Sequence, residues 1–283
     1  MEALLLLKNI TGSLVESYLP NEARSLGFIL IEHFFGLDKT QVISGKHVSD
    51  YEFKKFALEA AVDRLQDQEP IQYVLHKAPF LEYEFYVNEF VLIPRPETEE
   101  LVLYICEKFK NAPNKPAIID LCTGSGCIIN SLAHKLNLEE AVGLDISRKG
   151  LEVAKHNSDL LDVKVNFINK DLLREEVDLS VFDVVVSNPP YVMHKEKKLM
   201  AKNVLDFEPH IALFVEDDNP LIFYKRIVNL AEKSLREGSM LAMEINEQLG
   251  NETANLLYEG SFKNIEIIKD INGKDRFVVA YKF

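Results

Sequence analysis

From residue 117 to the C terminus, short runs of Val, Ile and Leu recur with helix-length intervals between them. This alternation constrains the fold more than any other feature of the chain. The runs fall at 117–121, 141–145, 163–168, 182–187, 240–245, 265–268 and 277–281. Several are apolar at consecutive positions, without the polar alternation of a strand that keeps one wet face. They are therefore expected to be buried on both faces, as parallel strands are. Strand and helix in regular alternation predict a doubly wound α/β sheet. Asn272-Gly273 lies between the last two runs, and that pair favours a tight hairpin, so the final strand is expected to be antiparallel.

The first 75 residues have a different texture, with no strand-like alternation before about residue 71. Pro20-Asn21-Glu22-Ala23 predicts a helix start, and Phe28, Ile31, Phe34 and Phe35 share one face before Gly36 ends the run. Asp50 is expected to cap a second long helix with Phe53, Phe56, Ala57, Ala60, Ala61 and Leu65 at helical spacing, and Pro70 to stop it. Residues 80–87 then alternate and are aromatic. Asn88-Glu89 is expected to turn them back into 90–93 as a β-hairpin, and Thr98 to cap the next helix. The expected organisation is a small helical domain over 1–75, a hairpin linker over 76–95 and an α/β domain over 96–283.

The 283 residues carry 32 basic and 45 acidic side chains, a formal net charge of −13. An acidic chain is poorly suited to non-specific attraction to phosphate backbones, so direct nucleic-acid binding is not expected. The three cysteines, Cys106, Cys122 and Cys127, contain no C-x-x-C pair, and the seven histidines are scattered. Neither a disulfide framework nor a metal site is expected. The apolar run at residues 3–7 is too short for a membrane span or a secretion signal. A cytoplasmic protein without membrane attachment is the expectation.

Two segments carry chemistry. Asp120-Leu121-Cys122-Thr123-Gly124-Ser125-Gly126 sits where the first strand of the α/β domain turns into a helix. Its glycines allow positive φ and close approach of a ligand to the backbone. Nineteen residues after Gly126, Asp145 ends the next strand, where a carboxylate can accept both hydroxyls of a ribose. The loop lacks the G-x-G-x-x-G of dinucleotide sites, and Asp120 would repel a pyrophosphate. It suits a donor with a positive charge, such as S-adenosylmethionine, better than NAD. Asp171-Leu172 follows the third strand, where an adenine would meet a carboxylate and an apolar face. The second segment is Asn188-Pro189-Pro190-Tyr191, directly after the fourth strand. Two prolines make a rigid turn that lacks two N–H donors. The Asn188 side-chain oxygen and the Pro189 carbonyl can accept N–H groups from a substrate amide or amine, and Tyr191 offers a flat face. That set suits methylation of a planar nitrogen. Lys195-Glu196-Lys197-Lys198 reads as a solvated charge run, and His194 as a surface-loop histidine.

These residues resemble the HemK/PrmC family of protein-(glutamine-N5) methyltransferases. The resemblance rests on Glu69-Pro70-Ile71-Gln72-Tyr73-Val74, Ile93-Pro94-Arg95-Pro96-Glu97-Thr98-Glu99, the glycine loop, Asn188-Pro189-Pro190-Tyr191 and Asp206-Phe207-Glu208-Pro209. It implies a Rossmann-like seven-stranded methyltransferase sheet preceded by a helical domain that helps hold a peptide chain release factor. It also implies that S-adenosyl-L-methionine is the donor, held by Cys122, Thr123, Gly124, Ser125, Gly126, Asp145 and Leu172, with Asn188 beside it. Asn188, Pro189, Pro190 and Tyr191 would hold the glutamine of a Gly-Gly-Gln motif. The chain departs from the family pattern at Cys122, where the first glycine of Asp-x-Gly-x-Gly-x-Gly usually stands, and at Leu172, where an aromatic sometimes lies. A nucleic-acid adenine-N6 methyltransferase would need the same Asn-Pro-Pro-Tyr corner, together with a basic recognition surface for a flipped base. A non-catalytic adenosine-binding module is the remaining reading of a different class, and detectable turnover would remove it.

Overall fold

The computed structural model describes residues 1–283. The chain divides into two compact units, 1–76 with 201–207, and 77–200 with 208–283. The first is helical: α1 (Ala3–Leu14), α2 (Pro20–Phe35), α3 (Lys39–Ile43), α4 (Tyr51–Gln66) and α5 (Ile71–Leu75). Pro20 occupies the first turn of α2, where its missing N–H costs nothing. Gly36 closes α2 in the left-handed conformation, its N–H donating to the Glu32 carbonyl at 2.8 Å. One core joins Leu6, Leu7, Ile10 and Leu14 of α1, Leu26, Leu30 and Ile31 of α2, and Leu58, Ala61 and Leu65 of α4.

On α4 the sequence reading is corrected. The buried stripe is Leu58, Ala61 and Leu65, whereas Phe53 and Phe56 are 87% and 70% exposed. Both sets recur at helical spacing, and only packing against α1 and α2 selects the face. Asp50 precedes the helix with φ of 56° and makes no side-chain cap.

The second unit opens with β1 (Ala78–Phe80) and β2 (Tyr83–Phe85), an antiparallel hairpin that turns at Leu81-Glu82. The turn lies earlier than expected from Asn88-Glu89. The register pairs Phe80 with Tyr83 and Ala78 with Phe85, and the buried rings of Phe80 and Phe85 meet edge to face at 5.8 Å across the hairpin. Next come α6 (Pro96–Phe109), β3 (Ile118–Leu121), α7 (Cys127–Leu136), β4 (Ala141–Asp145), α8 (Arg148–Leu160), β5 (Asn166–Asn169) and β6 (Val184–Ser187). The chain continues through β7 (Val192–Met193), α9 (Lys202–Phe207, grouped with the helical unit) and β8 (Phe214–Val215). It ends with α10 (Ile222–Ser234), β9 (Met240–Glu244), α11 (Gly250–Tyr258), β10 (Phe262–Lys269) and β11 (Asp275–Lys282).

The central sheet has seven strands in the order β10-β11-β9-β6-β3-β4-β5. Strands β9, β6, β3, β4 and β5 run parallel, and β11 pairs antiparallel with both β9 and β10, as Asn272-Gly273 predicts. Neighbouring residues of one strand point to opposite faces. Ile119, Leu241 and Met243 pack with α10 and α11, while Ile118, Met240 and Ala242 pack with α6 and α7. Burial on both faces explains the unbroken apolar runs. Strand order reverses between β3 and β6, so the loops leaving the C-terminal ends of these two neighbours splay apart and leave a crevice.

Candidate active site

The crevice holds a cavity of about 240 Å³, walled by the loop after β3, the ends of β4 and β5, the start of the β6 corner, and the segment from Phe90 to Thr98. On the donor side the loop is built mainly from backbone. Cys122, Gly124 and Gly126 all have positive φ, at 63°, 52° and 74°. A side chain on Gly126 would strike Asn130 Nδ2 at 2.7 Å and the Ala154 Cβ at 3.0 Å, so this glycine is required by packing as well as by conformation. A Cβ on Gly124 would meet nothing within 4 Å, and Gly124 lies on the cavity wall. Cys122 adopts the left-handed conformation that glycine takes without strain, so the departure from glycine costs backbone energy and leaves the loop path intact.

Asp145, at the end of β4, braces this loop. One carboxylate oxygen accepts the Gly124 N–H at 2.8 Å and the other accepts the Ser147 N–H at 2.8 Å. Burial raises its pKa, and the N–H donors from Ser147 and Gly124 act the other way. Leu144 and Leu172 add apolar wall, and Cys122, Thr123, Ser125, Asp145 and Asp171 complete the donor side. An acidic group at a strand end, an apolar slot and a glycine with open space in front of it fit a ribose carrying a flat base. The residues predicted for the donor are thus brought together, except that the tightly packed Gly126 is not on the wall.

Asp120 is corrected. It is fully buried behind the loop and is not on the cavity wall. Its Oδ2 accepts the Thr123 hydroxyl at 2.6 Å, while Oδ1 has no hydrogen-bond partner. Burial pushes its pKa up to about 8. Asp120 therefore holds the loop from behind and does not face the ligand.

Across the cavity, Asn188 and Pro190 lie on the wall, whereas Pro189 and Tyr191 do not. Tyr191 is half-buried and its hydroxyl donates to Glu244 Oε1 at 2.9 Å. Asn188 Nδ2 donates to Thr98 Oγ1 at 3.2 Å, and the Thr98 hydroxyl donates to Glu244 Oε2 at 2.6 Å. Thr98 lies inside α6, two residues past its start at Pro96, so it is not the expected helix cap. Burial raises the Glu244 pKa, with the Thr98 and Tyr191 hydroxyls and nearby Arg276 pulling it down. Burial also pushes the Tyr191 phenol well up, reinforced by Glu244.

Several residues of the site escape a reading by motif. Glu244 had a signal, as the one acid in the apolar run 240–245. Asn157 of α8 donates to the carbonyls of Ser125 and Tyr86 at 2.9 and 3.0 Å and accepts the Tyr86 N–H, which ties the loop to the hairpin strand's end. A Cβ on Gly143 of β4 would lie 2.9 Å from the Phe167 ring and 3.1 Å from Thr123 Cγ2. Glu208, which carries part of the family resemblance but is given no role by it, accepts the Ile93 N–H at 3.2 Å and an Arg95 N–H at 2.7 Å, holding Pro94 and Arg95 against the cavity. Glu196 is also more than part of a charge run, accepting from the Met193 N–H, Asn246 and Gln248. His194 stacks on Phe214 at 5.3 Å and is not on the cavity wall. No group of three or more His, Cys, Asp or Glu side chains is arranged to hold a metal. No helix is long and apolar enough to cross a membrane.

Residues 102–207 match the family profile described as the methyltransferase small domain, and residues 6–75 match the PrmC N-terminal domain. The release factor glutamine methyltransferase of Flavobacterium psychrophilum is 41% identical over 281 residues, covering 97% of this chain and 98% of that protein. The protein of the same name from Bacteroides thetaiotaomicron is 39% identical over 272 residues, with 96% and 97% covered. That from Bacillus subtilis is 32% identical over 272 residues, with 93% and 94% covered.

Proposed function

The chain belongs to the release factor glutamine methyltransferase family, and from that premise we propose that it methylates the side-chain amide of the glutamine in the Gly-Gly-Gln motif of peptide chain release factors. The observation that carries the reading is that the glycine loop with Asp145 and the Asn188 corner border one cavity. S-adenosyl-L-methionine, when bound, supplies an electrophilic methyl group on a sulfonium. Asp145 would hold the ribose, Leu172 would lie against the adenine, and residues 122–125 would follow the donor with their backbone.

An amide nitrogen is a weak nucleophile because its lone pair is shared with the carbonyl. The Asn188 Oδ1 accepts one N–H of the substrate amide at the cavity wall, and the Pro189 carbonyl, whose residue is set back from that wall, would accept the other once the amide is seated in the corner. Held by two acceptors, the nitrogen keeps its lone pair directed at the methyl carbon and is biased toward a pyramidal, reactive geometry. The nitrogen–carbon bond forms as the carbon–sulfur bond breaks, the bonding pair stays on sulfur, and the alkylated nitrogen, now strongly acidic, releases one proton to water. Positive charge leaves the sulfur as the reaction proceeds, so an apolar slot helps and no covalent enzyme intermediate is needed. Cys122 therefore has no nucleophilic task, and burial holds its thiol well above its usual pKa. Pro190 and Tyr191 bound the corner, with Tyr191 anchored through its hydroxyl.

The helical unit is assigned to release-factor binding, nucleic acid is not a direct partner, and the cytoplasm is the compartment in which this substrate is met. The adenine-methylating alternative is not favoured, because the relatives at near-full coverage are named for glutamine in a protein. Incubation with labelled donor and a release factor carrying Gln or Ala in Gly-Gly-Gln tests the reading. Label is expected on the Gln form alone, and equal labelling of both would overturn it.

A further inference from the structure

We infer that Glu244 and Thr98 are positioning residues that fix which end of the Asn188 side-chain amide faces the substrate. The inference rests on the amide-methylation reading above. The two ends of an asparagine side chain are nearly alike in shape and opposite in hydrogen-bonding sense. A rotation of about 180° exchanges acceptor for donor. Methylation of an amide N–H needs the acceptor outward, and the Asn-Pro-Pro-Tyr sequence by itself does not specify that.

The specification comes from behind the corner. A threonine hydroxyl has one proton to give. Thr98 gives it to Glu244 Oε2, at 2.6 Å, a length expected for a hydroxyl on a carboxylate. Thr98 Oγ1 then presents only lone pairs toward Asn188. It accepts from Nδ2 at 3.2 Å and would repel Oδ1 in the same place. With Nδ2 committed inward, Oδ1 is the end left for the substrate. The second oxygen of Glu244 takes the Tyr191 hydroxyl at 2.9 Å, so one carboxylate accepts from both and ties down both ends of the four-residue corner.

Strand pairing makes this possible. Ser187 of β6 is level with Met243 of β9, which puts Glu244 beside Asn188. Thr98 and Glu244 are 2% and 1% exposed, so water does not compete for these bonds. Glu244 is not on the cavity wall and gains nothing from a direct role in methyl transfer.

The test uses the full-length protein, labelled donor, and release factors carrying Gln, Ala or Glu in the acceptor motif. The wild-type protein first has to label the Gln form and not the Ala form; failure there removes the functional reading itself. In Glu244→Gln the shape is kept, but the new amide N–H can donate to Thr98, whose proton then turns toward Asn188 and favours the flipped amide. We expect kcat to fall about 10- to 100-fold, with the donor dissociation constant changed less than about twofold. The Glu-bearing factor reports orientation directly. Its carboxylate is repelled by an outward Oδ1 and attracted by an outward Nδ2. Its affinity relative to the Gln form is therefore expected to rise about tenfold in Glu244→Gln. Thr98→Val should follow the same pattern, and Thr98→Ser, which restores the hydroxyl, should return kcat to within about threefold of wild type. This pair carries the test if Glu244→Gln does not fold. Unchanged kcat, an unchanged Glu-to-Gln affinity ratio, or a Thr98→Ser protein as slow as Thr98→Val would each overturn the inference.

Discussion

The two sides of the cavity are built by different means, and their two buried carboxyl groups make the difference visible. Asp120, behind the donor loop, is bonded to a residue three positions away, and its second oxygen has no partner. Glu244, behind the acceptor corner, has both oxygens bonded, to hydroxyls 146 and 53 residues distant in sequence. The donor side is a local device: one strand, one turn with three positive φ angles, one helix, and an acid at the next strand's end. The acceptor side is a tertiary device in which α6, β9 and the turn after β6 must meet before Asn188 has a defined orientation. A local device can be damaged in affinity or folding. A tertiary relay is expected to fail first in turnover.

The strongest way to break this contrast is Asn188→Ala. It removes a substrate acceptor and is expected to lower kcat about 100- to 1000-fold, with donor binding by calorimetry altered less than about twofold. Loss of donor affinity comparable to the loss of turnover would erase the distinction between the two sides. Gly126→Ala attacks the donor loop through its backbone. Positive φ and overlap with Asn130 and Ala154 should cost about 2–3 kcal/mol in chemical denaturation, the largest stability loss of the set. Asp145→Asn keeps the shape but removes the charge. It is expected to raise the donor dissociation constant about 10-fold while kcat at saturating donor stays nearly constant.

A smaller effect separates the carboxyls by pH. Unfolded, Asp120 ionises near 3.8; folded, it holds its proton to about 8. Between those values the native state binds more protons than the unfolded one, so this group's contribution to stability falls as pH rises through the interval. Asp120→Asn should flatten that slope in thermal unfolding followed from pH 5 to 8, and an undiminished slope would assign it to other groups. The smallest expected change is Cys122→Gly. Relief of the left-handed strain, offset by greater freedom in the unfolded chain, should stabilise the protein by about 0.5–1 kcal/mol and leave donor affinity unchanged.

Errors in reading the sequence follow the same local-versus-tertiary division. Strands β3, β6 and β9 are legible because burial on both faces leaves an unmistakable apolar run, and the donor loop because strand, glycines and helix are contiguous. The hairpin at Ala78–Phe80 and Tyr83–Phe85 turns earlier than its sequence suggests because aromatic residues continue on both sides of Leu81-Glu82, and the burial of Phe80 and Phe85 together distinguishes this turn from one at Asn88-Glu89. Phe53 and Phe56 satisfied helical spacing as well as Leu58, Ala61 and Leu65 did, so periodicity had no means of choosing the wet face. The motif position of Asp120 predicts a ligand-facing group, since position alone does not reveal which way a side chain turns. Thr98 carried a capping signature, and its actual bond is to a strand 146 residues away.

The amino-acid sequence by itself determined the doubly wound sheet, the antiparallel last strand, the helical front, and the two segments that border the cavity. Each of these follows from propensity, periodicity and burial pattern among near neighbours. Only the tertiary structure decided which helix face was buried, that Asp120 lies behind its loop, and that Glu244 stands level with Asn188 through the pairing of β6 with β9. Those outcomes depend on the meeting of elements far apart in the chain. A hydrogen bond's direction is fixed by what the partner's other proton or lone pair is doing, and that partner was not a sequence neighbour.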